Sequence, residues 1–519
     1  MAEPADESRQ IADDVKTLHG LGYAQELLRR MSAFSNFAIS LSIICILAGG
    51  ITTFHLALCG VGGAAVGLGW PLVSLYALAV AATMGQVASA FPTAGGLYHW
   101  ASILGGKGWG WATAWFNLIG LITVMTGINA GLYLFLRVPI GDLLGFDPPS
   151  NEPSTQDMMV QAVAVALITA SQALVNHRGI RVTTLLTDFS GYWILLMAVA
   201  LTALALAFGP RIDPLRLLTF SNYSGAGGGG VWPQTNSLLW LFALGFLLPA
   251  YTISGFDASA HTAEETVGAA LHVPQGIVRS VLVSGVFGWV MLSALVLAIP
   301  DMDKAAARGE SAFHWIMAAL FPPALAVLLY IGIGIAQYLC GLATVTSASR
   351  MAFAFARDGG LPFSATLRQV SDVYRTPPYA IWTVSIASVL FAVYTPVYST
   401  IITACTIFLY ISYLIPTALG FCAYGRSWTR MGPWDIGWLY RPLAVVCVAG
   451  GGLLIAIGMA PPNEKAVWLV AGLALVLTAI WFGWERRRFR GPPQGVMVPA
   501  RQAAIAAAEA AVGETRWEP

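Results

Sequence analysis

From Met31 to Gly106 the chain carries no Asp, Glu, Lys or Arg. A membrane-crossing helix needs about 20 predominantly apolar residues, so this stretch holds two crossings and the loop between them. Further uncharged runs follow at 108–136, 158–177, 189–210, 217–256, 280–300, 311–349, 376–425, 442–463 and 466–484. Reading 376–425 as two crossings gives twelve helices. Composition agrees, because 57% apolar residues, 10% charged residues and a mean hydropathy of +0.69 do not describe a soluble chain of several domains. The fold class is therefore an all-α integral membrane protein whose first partner is the lipid bilayer.

Lys and Arg collect in short loops on the cytoplasmic side of a membrane. With the N-terminus inside, the inner segments hold 21 of the 27 basic residues, Arg29, Arg30, Arg178, Arg181, Arg350, Arg357, Arg426 and Arg486 to Arg488 among them. Both termini are expected in the cytoplasm, and no cleavable signal is expected before the first span. A net charge of +1 gives no footprint for nucleic acid. Six cysteines lie mostly within apolar runs without metal-ligand spacing, and read as packing residues.

Two apolar spans are interrupted. In the first, Ala48-Gly49-Gly50-Ile51-Thr52 places two glycines before two threonines, Thr52 and Thr53. Glycine costs about 1 kcal/mol against alanine in a helix interior, so a compensating role is expected. Either the helix breaks to offer backbone groups to a solute, or the glycines let two helices pack closely. In the sixth span, Pro249 is followed by Ala250-Tyr251-Thr252-Ile253-Ser254-Gly255-Phe256-Asp257. A proline and a carboxylate are both unwelcome in a regular span.

If spans one to five and six to ten form two repeats, the interruptions fall at equivalent places, the first helix of each half. That correspondence is the best sequence pointer to a transporter's binding site. Five is odd, so the repeats are inverted and an axis in the membrane plane brings the breaks together. Opposing half-helices then present free amides to a carboxylate and free carbonyls to an ammonium, a setting for a zwitterion. The organisation reads as a cytoplasmic tail with an amphipathic helix over 1–33, repeats over 34–209 and 236–424, two added helices within 442–484, and a cytoplasmic tail over 485–519. The amphipathic helix is expected from Val15 to Met31, where leucines and Tyr23 recur beside Arg29 and Arg30.

Charges at the inner face suggest a gate: Glu264 and Glu265 pairing with Arg350 or Arg357, or else remaining solvated loop charges. Asp188 near the start of span five is either functional or ion-paired at the inner face.

The motifs Leu21-Gly22-Tyr23 with Gln25-Glu26-Leu27, Pro92-Thr93-Ala94-Gly95-Gly96-Leu97-Tyr98, Gly255-Phe256-Asp257 with Glu264-Glu265, and Ser349-Arg350-Met351 through Arg357-Asp358-Gly359 occur in order. With them the chain resembles the amino acid-polyamine-organocation superfamily, in the amino acid/choline transporter branch that includes GABA permeases. The resemblance covers about Leu18 to Arg488. It implies a LeuT-like fold of ten core helices plus two, working by alternating access. It also implies that the amides of Gly49, Gly50 and Ile51 meet a substrate carboxylate, that the carbonyls of Tyr251, Thr252 and Ser254 meet its ammonium, and that Tyr251 is a gating aromatic. The site so implied comprises Ala48, Gly49, Gly50, Ile51, Thr52, Tyr251, Thr252, Ser254, Gly255, Phe256 and Asp257. Relatives often carry Gly-Ser-Gly in the first break, where this chain has Gly49 in the middle.

No cofactor is implied beyond a coupling proton or sodium ion. Some proton-coupled relatives carry a Lys or His in span five, where this chain has Trp193 and Ile194. A sodium site would draw on Thr346 and Ser347, whose other reading is hydrogen bonding between helices. The expected function is secondary active transport of amino acids or related small amines such as GABA across the plasma membrane, with a zwitterionic or cationic substrate and no catalysis. The alternatives are a choline or polyamine transporter, a facilitated exchanger of the same fold and, further off, a channel.

Overall fold

The computed structural model describes residues 4–144, 154–210, 212–394, 397–493 and 497–511. Among them, ten helices are long and apolar enough to cross a membrane, and two shorter apolar helices, Leu238–Thr252 and Pro378–Tyr394, bring the number to the expected twelve. The first span comprises Ala33–Ile44, Gly49–Thr52 and Phe54–Val61, with the glycine pair at its break. The sixth comprises Leu238–Gly245 and Leu247–Thr252, and helix returns at Ala258–His261.

Several spans outrun their uncharged segments. The eighth, Pro323–Arg357, carries both arginines of the expected gate, and the seventh, Ala269–Ala298, includes Arg279. A hydropathy window stops at a charge, whereas backbone hydrogen bonding carries the helix on to the interface.

The first, third (Lys107–Leu144) and tenth (Tyr398–Ala423) spans form the interior, and the third and tenth pack along a long seam. The fourth (Thr155–His177), fifth (Ile180–Phe208) and twelfth (Glu464–Ile480) turn large apolar side chains outward, Leu167, Leu185 and Leu475 among them. Polar side chains are correspondingly inside. Asn129 of span three bonds Thr169 and Gln172 of span four at 2.8 and 2.9 Å, and Asn176 reaches the Leu342 carbonyl of span eight at 3.1 Å. In lipid such bonds hold helices where hydrophobic burial cannot.

The amphipathic helix sits earlier than expected, at Pro4–Gly20, with Ile11 and Leu18 buried. Gly22, at a φ of 84°, turns the chain out of helix. Residues 21–31 then cross one face of the bundle as an extended strap, because their polar groups find partners there. The amides of Arg30 and Met31 both donate to the Glu265 carbonyl, at 2.9 and 2.8 Å, and the Val267 amide returns to Met31 at 3.0 Å. The helix Gln502–Ala511 lies on the same face, where Glu509 takes His19 Nε2 at 2.7 Å and the Gln25 amide at 2.9 Å. This is called the tail-bearing face below.

Candidate functional site

The first break is a tight turn on one oxygen. The Cys45 carbonyl accepts the amides of Ala48 and Gly49 at 2.8 and 3.0 Å. The hydroxyls of Thr52 and Thr53 donate to the carbonyls of Ala48 and Gly49, each at 2.7 Å, which steadies the short helix beyond the turn. Among the described residues, the amides of Gly50 and Ile51 find no acceptor. The Gly49 amide, expected to face a substrate, is therefore already used within the chain. Gly49 is instead a close contact: a Cβ built on it would lie 2.9 Å from both Cα and Oγ1 of Thr252, so the two breaks touch here. Close packing, one of the two readings of the glycine pair, is what Gly49 shows.

In the second break the Pro249 carbonyl accepts the Ile253 amide at 2.8 Å, and the Tyr251 carbonyl accepts the Ser254 hydroxyl at 2.7 Å. The Tyr251 carbonyl is thus engaged, while no donor among the described residues reaches the carbonyls of Thr252, Ile253 and Ser254. Gly255 has a φ of 84°, and a Cβ there would come within 2.4 Å of the Ile43 side chain, so only glycine fits. Its amide donates to the Tyr413 hydroxyl at 2.9 Å, and the Phe256 carbonyl accepts Ser40 at 2.8 Å.

Asp257 is fully buried. Its Oδ1 accepts the Tyr413 hydroxyl at 2.8 Å, and its Oδ2 accepts Asn117 Nδ2 at 2.9 Å and lies 3.2 Å from His261 Nε2. The Gly255 amide, the Phe256 carbonyl and the Asp257 carboxylate are thus committed to spans one, three and ten or to His261. Toward the face away from the tails, Tyr398 lies beside the side chains of Thr52 and Tyr251. Gly127 and Gly131 make room for the two tyrosine hydroxyls on span three. Beyond them is a cleft lined by His55, Leu247, Thr403, Thr406 and Asn463.

Two buried ion pairs lie at the tail-bearing face. Arg350 meets Glu265 through two parallel contacts, Nε to Oε2 and Nη2 to Oε1, both 2.9 Å. Arg357 meets Glu264 end-on, Nη1 to Oε2 at 2.9 Å and Nη2 to Oε1 at 2.8 Å. All four side chains are buried, and planar guanidinium forks suit such two-point contacts. The strap braces the same two glutamates from behind: Gln25 donates to the Glu264 carbonyl at 2.8 Å, and Arg29 donates to the carbonyls of Ala263 and Thr266. Tyr23 and Tyr98 both donate to Asp358 Oδ2, at 2.7 and 2.9 Å, and Arg357 lies 4.0 Å over the Tyr23 ring. Burial holds the Asp358 carboxyl above the usual carboxylate range, opposed by Arg357 and the two hydroxyls. The Tyr23 phenol is raised by burial and by Asp358.

Thr346 donates to Asn176 Oδ1 at 2.6 Å, the interhelical bond that was one of its two readings, whereas the buried hydroxyl of Ser347 has no partner among the described residues. Among the described residues Asp188 makes no ion pair and accepts the Ser35 hydroxyl at 3.0 Å, and Ser35 in turn lies 3.0 Å from the Ser32 hydroxyl. Asn117, His261, Tyr413 and Tyr398 escape sequence reasoning. His261 alone had a signal, one helical turn after Asp257.

Residues 31–481 match the family described as amino acid permease. The chain belongs to the amino acid permease family. The permease is 31% identical to amino-acid permease BAT1 of Arabidopsis thaliana, over 92% of this chain and 96% of that one. It is 25% identical to a GABA-specific permease of Saccharomyces cerevisiae, over 92% and 86%. It is 26% identical to a putative polyamine transporter of Candida albicans, over 93% and 89%. These are transporters, not enzymes, in keeping with the resemblance carried by the motifs, and the permease is a multi-pass membrane protein.

Proposed function

We propose that the permease is a secondary transporter that carries an amino acid or a related small amine across the plasma membrane by alternating access, with the tail-bearing face in the cytoplasm. The observation that carries this reading is the meeting of the two breaks at Gly49 and Thr252, beside which unbonded amides of Gly50 and Ile51 lie in one interrupted span and unbonded carbonyls of Thr252, Ile253 and Ser254 in the other. Buried backbone groups are seldom left unpaired, so a polar solute belongs between them. The amides suit a carboxylate and the carbonyls an ammonium. Choline and polyamines have no carboxylate for the amides, which favours amino acids over them. The two glutamate–arginine pairs act as the cytoplasmic gate, closed here, and the spans form two inverted five-helix repeats around the site.

The test is a radiolabelled uptake panel in proteoliposomes covering GABA, neutral and basic amino acids, choline and polyamines, with and without sodium and a proton gradient. Saturable uptake and counterflow of at least one carboxylate-bearing substrate is expected. A folded protein that moves none of them, or that conducts without saturating, would contradict the proposal.

A further inference from the structure

The hydrogen bonds of His261 fix how many protons its surroundings hold. Nδ1 lies 3.1 Å from the Ala94 carbonyl oxygen, and a carbonyl only accepts, so Nδ1 carries hydrogen. Nε2 lies 3.2 Å from Asp257 Oδ2, with both side chains fully buried. A bare Nε2 would set its lone pair against a carboxylate oxygen, away from water. One proton must therefore occupy this edge, either as imidazolium facing carboxylate or as neutral imidazole facing carboxylic acid. In both forms the pair is electrically neutral, and losing the proton leaves a net negative charge inside the membrane, a costly state.

The pair touches both halves of the proposed mechanism. On one side, Tyr413 donates to Asp257 and accepts the Gly255 amide at the second break. On the other, Ala94 accepts from His261 through its carbonyl while its amide donates to Glu264 Oε1 at 3.0 Å, and Glu264 holds Arg357. Without the extra proton, the single ring hydrogen must choose between Ala94 and Asp257, and one contact turns repulsive.

We infer that Asp257 and His261 form the binding site for a transported proton, and that its occupancy holds the tail-bearing face closed. Proton uptake adds one H+ between Oδ2 and Nε2 while that face is shut. The same H+ leaves when the face opens and the Ala94 contact parts. Around the pair, span ten contributes Tyr413, the segment after span six contributes Glu264 and Glu265, and span eight contributes Arg350 and Arg357, which neutralise those glutamates. Near Ala94, His99 is bonded to Thr93 at 2.9 Å, and the strap brings Arg29 against Ala263 and Thr266. Span one contributes the neutral Asn36 and Ser40, and span three Asn117. The inference rests on the transport reading and adds its driving ion.

The test uses the full chain in proteoliposomes containing a pH-sensitive dye, with the panel above as external substrate. In the wild type, added substrate is expected to acidify the lumen, and one proton per substrate supports about tenfold accumulation for each unit of inward pH gradient. Asp257→Asn and His261→Asn should lose substrate-driven acidification, while His261→Asn still performs counterflow above empty vesicles. Wild-type counterflow without acidification would overturn this inference and leave the transport reading intact, as would acidification by His261→Asn equal to wild type. A wild type that moves nothing would remove both. If His261→Asn also loses counterflow, the ring-nitrogen NMR shifts of wild-type His261 decide. A bare Nε2 beside an ionised Asp257 refutes the site, and a proton on that edge supports it.

Discussion

Gly49 lies against Thr252 so closely that a methyl group added to it would meet that residue's backbone at 2.9 Å. The two interrupted spans are therefore held at a separation that only hydrogen at this position allows. Gly49→Ala is expected to cost about 1–3 kcal/mol through overpacking and to abolish substrate binding. Gly50→Ala, whose Cβ would sit in ordinary contact with Leu292 at 3.6 Å and Trp70 at 3.9 Å, should leave thermal stability near wild type. Melting in detergent and substrate-binding isotherms of the two variants check this contrast. Equal effects at both positions would contradict it.

Gly255→Ala combines a left-handed backbone with a 2.4 Å approach to Ile43. The backbone term alone is about 1–2 kcal/mol. The variant should insert into the membrane yet transport at under a tenth of wild type, because the amide bonded to Tyr413 must move. Surface expression measured alongside uptake separates insertion from function.

Removing one partner of a buried ion pair typically costs about 3–5 kcal/mol, more than removing both. Arg350→Ala is thus expected to destabilise the permease more than the double change Arg350→Ala with Glu265→Ala, and both should alter transport. Arg350→Ala with unchanged transport would remove the gate. A thermal-shift double-mutant cycle, run beside uptake, supplies the comparison.

The raised pKa of Asp358 gives the strap a pH dependence whose sign follows from linkage. The closed face binds a proton at Asp358 more tightly than an exposed carboxyl does. Its contribution to closure is fully present below the ordinary carboxylate range, near pH 4, and is lost as pH rises through the elevated value. Hydrogen exchange of the strap amides, Arg30 and Met31 among them, should accelerate over that rise beyond the intrinsic rate. Asp358→Asn should flatten the response.

Much of this arrangement was legible because lipid makes certain residues conspicuous. Gly49, Gly50, Pro249 and Asp257 stand out in apolar runs, and Glu264, Glu265, Arg350 and Arg357 are the charges at the ends of such runs. What was not legible is pairing. That Glu265 takes Arg350 and Glu264 takes Arg357 depends on how span eight is rotated, which neighbouring sequence does not encode. Asn117 and Tyr413 resemble any polar residue that links membrane helices, and only the approach of spans three, six and ten gives them Asp257. The N-terminal helix was misplaced because leucines continue past Gly20, while the glycine at 22 and the carbonyls waiting beyond span six draw the chain into extended form. The Gly49 amide was misassigned for a local reason: which amides a turn frees depends on how it closes, and this one closes on Cys45.

The strap also makes a buried event visible from outside. Residues 21–31 are fastened to the backbone of Ala263–Val267, the segment that carries Glu264 and Glu265. Under the proposed gating, movement of that segment would carry the helix Pro4–Gly20 with it as a lever, and Arg9 near the start of that helix is exposed. Ser427, on the loop after span ten, is also exposed, and its loop closes on itself through the Gly425 amide and the Trp428 carbonyl at 2.9 Å. Dyes placed at these two positions would report each turnover as a change in energy transfer, so single molecules of the permease can be timed without touching the site itself.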